Sequence, residues 1–214
     1  MYTNSISSAK DQILPLEDWG FGFGPKVFIG GPCSVESPDQ IHRTAQMLSQ
    51  QRLDVLRGGI WKPRTRPNAF EGVGKEGLTW LKEAGNAIDK PVCVEVAKAS
   101  HVEEALEADI DILWLGARTS VSPFAVQEVA DAIKGVDIPV MIKNPINPDL
   151  KLWMGAIERI QQSSINRIAV IHRGFSYYGE SKYRNKPLWD IPLELKRQFG
   201  NIPVICDPSH IAGK

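Results

Sequence analysis

The chain has 214 residues, with 25 basic and 25 acidic side chains that cancel at neutral pH. That balance excludes a global electrostatic pull toward nucleic acid or an anionic membrane, and no apolar run approaches the roughly 18 residues of a membrane span. The polar first ten residues lack the apolar core of a secretory signal, and three cysteines without a C-x-x-C pair fit reduced thiols in the cytoplasm.

Residues 1–25 read as a polar lead-in, ending in a Gly/aromatic stretch that covers one end of the core. From residue 26 to 214 the pattern becomes a repeat of short apolar run, polar or Gly-rich loop, and helix-period segment. The apolar runs at 27–29, 54–56, 92–96, 112–115, 140–142, 168–171 and 204–205 predict seven strands. Segments 38–51, 76–88, 102–106, 123–133, 150–162 and 192–199 predict helices between them. Ser37-Pro38 and Ser122-Pro123 have the form of an N-cap followed by proline in the first turn. Strand alternating with helix implies a parallel sheet. Repeats of roughly 25–35 residues favour a (β/α)8 TIM barrel over an open doubly wound sheet. No G-x-G-x-x-G follows a strand, which removes the dinucleotide fingerprint. The expected architecture is therefore a TIM barrel truncated after its seventh strand.

In such a barrel the C-terminal ends of the strands converge on one mouth. The stretch from Leu56 to Pro67 places Arg57, Lys62, Arg64 and Arg66 in a Gly/Pro frame directly after a strand. A solvated basic loop is the plain alternative for that stretch alone. Later strand ends add Glu95, Ala117-Arg118, Lys143, Arg173 and Asp207-Pro208-Ser209-His210. Six cations (Arg57, Lys62, Arg64, Arg118, Lys143 and Arg173) at one mouth of a neutral chain predict a site for substrates with several negative charges. Cys33, after the first strand, and His210, after the last, are predicted to meet as metal ligands, since thiolate and imidazole suit a divalent transition metal. Glu95 either pairs with a neighbouring cation or positions a water. Cys93 and Cys206 are expected in the core, His42 and His101 exposed on helices, and Trp61, Trp114 and Trp153 in packing roles.

Taken together, Gly31-Pro32-Cys33-Ser34, Lys62-Pro63-Arg64-Thr65, Gly116-Ala117-Arg118, Lys143, Arg173-Gly174 and Asp207-Pro208-Ser209-His210 resemble the type I β family of 3-deoxy-D-arabino-heptulosonate 7-phosphate (DAHP) synthases. The resemblance implies condensation of phosphoenolpyruvate with erythrose 4-phosphate, the entry to the shikimate pathway. It implies that Arg118 and Arg173 hold the phosphoenolpyruvate phosphate beside the Ala117 amide. Arg57, Lys62 and Lys143 would surround its carboxylate, and Arg64 and Thr65 would hold the erythrose phosphate. Lys62, Glu95 and Lys143 would be the catalytic groups. Cys33 and His210 would be two of four ligands to a divalent metal such as Mn, Fe, Zn or Co, the family's Glu and Asp ligands lying beyond Lys214. Arg66 stands where a small residue is commoner, leaving extra phosphate contact or surface charge open. Lys143-Asn144-Pro145-Ile146-Asn147-Pro148 resembles members with a chorismate mutase domain after the barrel, and a homo-oligomer is expected. The alternatives are a 3-deoxy-D-manno-octulosonate 8-phosphate synthase, whose usual Asn-Arg-Ser motif differs from Lys62–Thr65, and a non-catalytic phosphate-binding barrel fragment.

Overall fold

A computed structural model describes residues 13–62, 66 and 68–212. Seven strands form one parallel sheet in sequence order: β1 (Ile29–Gly30), β2 (Val55–Gly58), β3 (Val92–Val96), β4 (Ile112–Leu115), β5 (Val140–Lys143), β6 (Ile168–His172) and β7 (Val204–Cys206). Each strand pairs with the next, and among the described residues β1 and β7 do not pair with each other. Helices α1 (Pro38–Ser49), α2 (Lys75–Ala87), α3 (Ala99–Glu107), α4 (Pro123–Ala132), α5 (Leu150–Gln162) and α6 (Asp190–Phe199) connect successive strands. A single turn, α7 (Pro208–Ile211), follows β7. These are seven consecutive strands of a (β/α)8-type barrel, as the sequence pattern predicts.

The helices form where apolar spacing gives them a face to bury. In α5, Trp153, Ala156, Ile157 and Ile160 recur at i, i+3, i+4 and i+7 and are all buried. Ser37 and Ser122 cap α1 and α4 by accepting from the backbone N–H of Gln40 and Ala125. Asp149 caps α5 in the same way, accepting from Leu152 N at 2.9 Å.

Strand residues alternate between two layers. Leu56, Val94, Leu113, Leu115, Ile142 and Val170 point outward and pack with the helices. Val55, Cys93, Ile112, Trp114, Met141, Ala169 and Ile171 point inward as a second cluster. Trp19 and Phe23 of the lead-in join that inner cluster, and Trp19 is 1 % exposed. Arg167 Nη1 donates to Trp19 O at 2.8 Å, and Leu14 N donates to Asn166 O at 2.9 Å. The lead-in thus closes the floor of the barrel.

Three sequence expectations are corrected. The first strand lies at Ile29–Gly30 rather than 27–29, because the Asp54 carboxylate accepts from Phe28 N at 2.8 Å and takes that N–H. Cys206 is exposed rather than buried: it faces outward on β7, which has a neighbour on one side only among the described residues. His101 is not a free surface residue, because its ring stacks on Trp61 at 4.0 Å and burial pushes its pKa down to about 4. Among the described residues, no helix is long and apolar enough to cross a membrane.

Candidate active site

The inward alternation explains why charge gathers at one end. Val55 and Cys93 fill the interior, and the next inward positions upward on their strands are Arg57 and Glu95. Lys143 stands in the same relation to Met141 on β5, Arg173 to Ile171 at the end of β6, and Asp207 to Ile205 at the end of β7. The apolar layers end there, and a charged layer begins.

A cleft of about 480 Å³ opens over this layer. Cys33, Lys62, Glu95, Ala117, Arg118, Lys143, Arg173 and His210 all line it, as the sequence predicts for the barrel mouth. Arg57 lies just beneath, lining an adjoining cavity with Lys143 and Asp207. Arg64 and Thr65 lie outside the described residues. Arg66 is exposed. The cleft also contains Arg184 and Asn185, which sequence reasoning missed. The only signal for them was a basic run, Lys182 to Lys186, in the long loop after β6.

The β1 and β2 ends are knitted together at Cys33. Lys62 Nζ donates to Cys33 O at 2.5 Å and lies 3.3 Å from its Sγ. Gly31 adopts φ +145°, and a Cβ there would sit 1.9 Å from Arg57 O, so only glycine permits this approach. Burial alone would raise the Cys33 thiol pKa. The charges and hydrogen bonds of Lys62 and Arg57 outweigh that and lower it, which favours thiolate.

At the opposite seam, His210 Nδ1 lies 2.8 Å from Asp207 Oδ2, and Lys143 Nζ lies 3.4 Å from the same oxygen. Burial would raise the Asp207 carboxyl. The His210 hydrogen bond and the Lys143 charge instead hold it well below the usual carboxylate range. Asp207 Oδ1 accepts from His210 N and Ser209 Oγ, which fixes the α7 turn. In a neutral imidazole with Nδ1–H toward the carboxylate, the lone pair is on Nε2.

Cys33 and His210 therefore line the same cleft, the first with a lowered thiol pKa and the second with Nδ1 against the Asp207 carboxylate. They fit as two ligands of a divalent transition metal. Among the described residues no group of three His, Cys, Asp or Glu side chains forms a ready metal cage.

Glu95 does not pair with Lys or Arg through a direct ion pair among the described residues. Its Oε2 accepts from Trp114 Nε1 at 3.1 Å, and Lys143 Nζ stands 5.7 Å from the Trp114 ring centroid. Trp114 thus orients a carboxylate as well as packing. The neighbouring Gly116 leaves room for it: a Cβ there would meet Glu95 Oε1 at 2.0 Å. Gly116→Ala is expected to displace the flexible carboxylate at a cost of about 1 kcal/mol in stability. Turnover is expected to fall about tenfold or more, since small misplacements at a reacting centre are expensive. Thermal melting alongside initial rates checks this, and wild-type rates in the variant would remove Glu95 from the chemistry.

Asn144, fully buried after β5, sets the position of Arg173. Its Oδ1 accepts from Arg173 N at 2.7 Å, and its Nδ2 donates to Gly174 O at 2.8 Å and Pro145 O at 2.9 Å. Burial lowers the Arg173 pKa and the nearby Arg184 and Arg118 lower it further, while Asp207 opposes them.

Fold and cleft define a class: a (β/α)-barrel whose strand ends build a cationic mouth that also holds a cysteine and a histidine. A model described as the DAHP synthetase I family matches residues 9–214, and the chain belongs to that family. It is 29 % identical over 205 residues to phospho-2-dehydro-3-deoxyheptonate aldolase of Thermotoga maritima, covering 96 % of this chain and 59 % of that protein. It is 27 % identical over 203 residues to 2-dehydro-3-deoxyphosphooctonate aldolase of Geobacter metallireducens, covering 88 % and 68 %. The crystal structure of the Thermotoga DAHP synthase superposes with a TM-score of 0.75 at 28 % identity, over 88 % of this chain and 53 % of that one. A truncated form of the same enzyme gives 0.72 at 28 % identity, over 88 % and 66 %. The chain therefore spans about three fifths of the length of the Thermotoga protein.

Proposed function

We propose that this chain forms the synthase barrel of an enzyme that condenses phosphoenolpyruvate with D-erythrose 4-phosphate and water. The products are 3-deoxy-D-arabino-heptulosonate 7-phosphate and phosphate. The observation that carries the reading is the cleft itself. Lys62, Arg118, Lys143 and Arg173 come from four different strand ends and meet in one pocket of a chain with no net charge. Two phosphates and a carboxylate require about that concentration of cations.

In this reading Arg118 and Arg173, with the Ala117 amide, hold the phosphoenolpyruvate phosphate. Arg57, Lys62 and Lys143 surround its carboxylate, and Arg64 and Thr65 hold the aldose phosphate. A divalent metal bound by Cys33 and His210 would supply Lewis-acid polarisation of the aldehyde oxygen. The enol carbon forms the new bond to the aldehyde carbon, and the aldehyde oxygen takes up a proton. Water, oriented by Glu95, adds to the cationic carbon left behind and gives up one proton, which balances the proton gained by the aldehyde oxygen. The C–O bond to phosphate then breaks with the electron pair leaving on phosphate, as the new hydroxyl becomes the ketone and its proton passes to phosphate. Lys62 and Lys143 stabilise charge beside these steps.

The similarity to an octulosonate-phosphate aldolase favours a second reading, in which arabinose 5-phosphate replaces the four-carbon sugar. Lys62-Pro63-Arg64-Thr65 supports erythrose 4-phosphate instead. Rates with the two aldose phosphates separate the readings: turnover with arabinose 5-phosphate alone would overturn the first. Arg118→Ala tests the pocket assignment. Its KM for phosphoenolpyruvate is expected to rise about tenfold to a hundredfold, as for loss of a charge-assisted contact to phosphate. Its KM for the aldose should change less than about threefold, and equal losses would contradict the assignment. The Lys143–Pro148 phrase supports a parent chain with a chorismate mutase domain. A native subunit mass well above 23.7 kDa is the expected measurement, and a subunit of that mass would count against it.

A further inference from the structure

The loop between β6 and α6 carries three cations at Lys182, Arg184 and Lys186, and they do not behave alike. Lys182 lies over the Tyr183 ring at 5.1 Å and Lys186 over the Tyr177 ring at 4.1 Å. Arg184 instead turns into the cleft that holds Arg118 and Arg173. Its backbone is fixed on two sides. Arg184 N donates to Ala212 O and Asn185 N to Ile211 O, each at 3.3 Å, while the buried Asn185 side chain donates to His210 O at 2.7 Å. Phe175 and Lys186 exchange backbone hydrogen bonds at 2.8 and 2.9 Å across the base of the loop. Gly174, at φ +79°, packs directly on Asn185, where a Cβ would lie 2.5 Å from the carbonyl oxygen. Arg184 is exposed, yet it is presented from a pinned segment.

We propose that Arg184 is a further substrate-binding residue, the third guanidinium of the phosphate pocket formed with Arg118 and Arg173. The proposal rests on the reading of that pocket as the phosphoenolpyruvate site. All three guanidiniums line one cleft, and an anion bound there gains from each of them. At Arg173, Arg184 and Arg118 both disfavour the charged form. A phosphate dianion satisfies all three, and each planar fork matches its oxygens. Arg184 follows β6, Arg118 β4 and Arg173 β6, whereas the loop assigned to the aldose phosphate follows β2. In this proposal the third cation, from the same strand end as Arg173, serves the enol substrate and the inorganic phosphate it releases.

The test uses Arg184→Ala and Arg184→Lys beside the wild type, with calorimetric titration of inorganic phosphate and initial rates for both substrates. Arg184→Ala is expected to bind phosphate about tenfold more weakly and to raise KM for phosphoenolpyruvate by a similar factor. KM for erythrose 4-phosphate should stay within about twofold, and Arg184→Lys should recover part of the loss. Unchanged phosphate affinity in Arg184→Ala overturns the proposal, as do equal losses for the two substrates. If the wild type binds phosphate but turns over neither aldose, the proposed function fails while the titration still decides Arg184.

Discussion

Replacing Cys33 by alanine is expected to abolish metal-dependent turnover while leaving the fold intact. The thiol sits at the rim of the cleft, so its loss opens no core cavity. What disappears is the one sulfur whose thiolate form Lys62 and Arg57 favour. Removing a group that merely orients a metal ligand typically costs about tenfold to a hundredfold in metal affinity or activity. Loss of the ligand itself should cost about a hundredfold or more. The effect has a spectroscopic counterpart independent of catalysis. Cobalt(II) added to the wild type should give a near-ultraviolet thiolate charge-transfer band, and the variant should not. A variant that kept the band or bound metal as tightly would remove Cys33 from the ligand set. Circular dichroism should be unchanged throughout.

The second large effect is expected at a residue with no charge. Asn144→Ala leaves the N–H of Arg173 and the carbonyl of Gly174 without the partners the side chain supplied. Each unsatisfied group at a buried site costs about 1–3 kcal/mol. At about 2–4 °C per kcal/mol for a chain of this size, the melting temperature should fall by roughly 5–15 °C. The same change releases the backbone that aims Arg173 into the cleft, so KM for phosphoenolpyruvate should rise together with the loss of stability. Asn144→Asp keeps an acceptor for Arg173 N but loses both donated bonds, and should recover substrate affinity more than melting temperature. Thermal scans paired with kinetics on the two variants decide the matter. A melting temperature within 2 °C of wild type in Asn144→Ala would show that water replaces the side chain without penalty.

What the sequence disclosed about this molecule follows from which interactions are local. Alternating apolar runs and helix-period segments placed β3, β4 and α5 at their observed bounds, because period and capping are properties of neighbouring residues. Barrel geometry then turned a scattered set of strand-end residues into one cleft. The errors are of the other kind. Nothing beside Phe28 in the chain says that Asp54 will occupy its N–H, and nothing near Trp61 says that His101 will stack on it. Arg184 went unread because its meaning depends on Ala212 and His210, which lie far along the chain and hold its loop in place. Asn144 was visible as a letter after Lys143, but its bonds to Arg173 and Gly174 form only once β5 and β6 lie side by side.

The tie between Arg167 and Trp19 joins residues 148 positions apart. During synthesis at about 5–20 residues per second, the indole waits roughly 7–30 s before its guanidinium partner has even been made. Until then the aromatic lead-in has only part of its eventual socket. Assembly from the ribosome is thus expected to finish at the bottom of the barrel, with Trp19 among the last residues to settle.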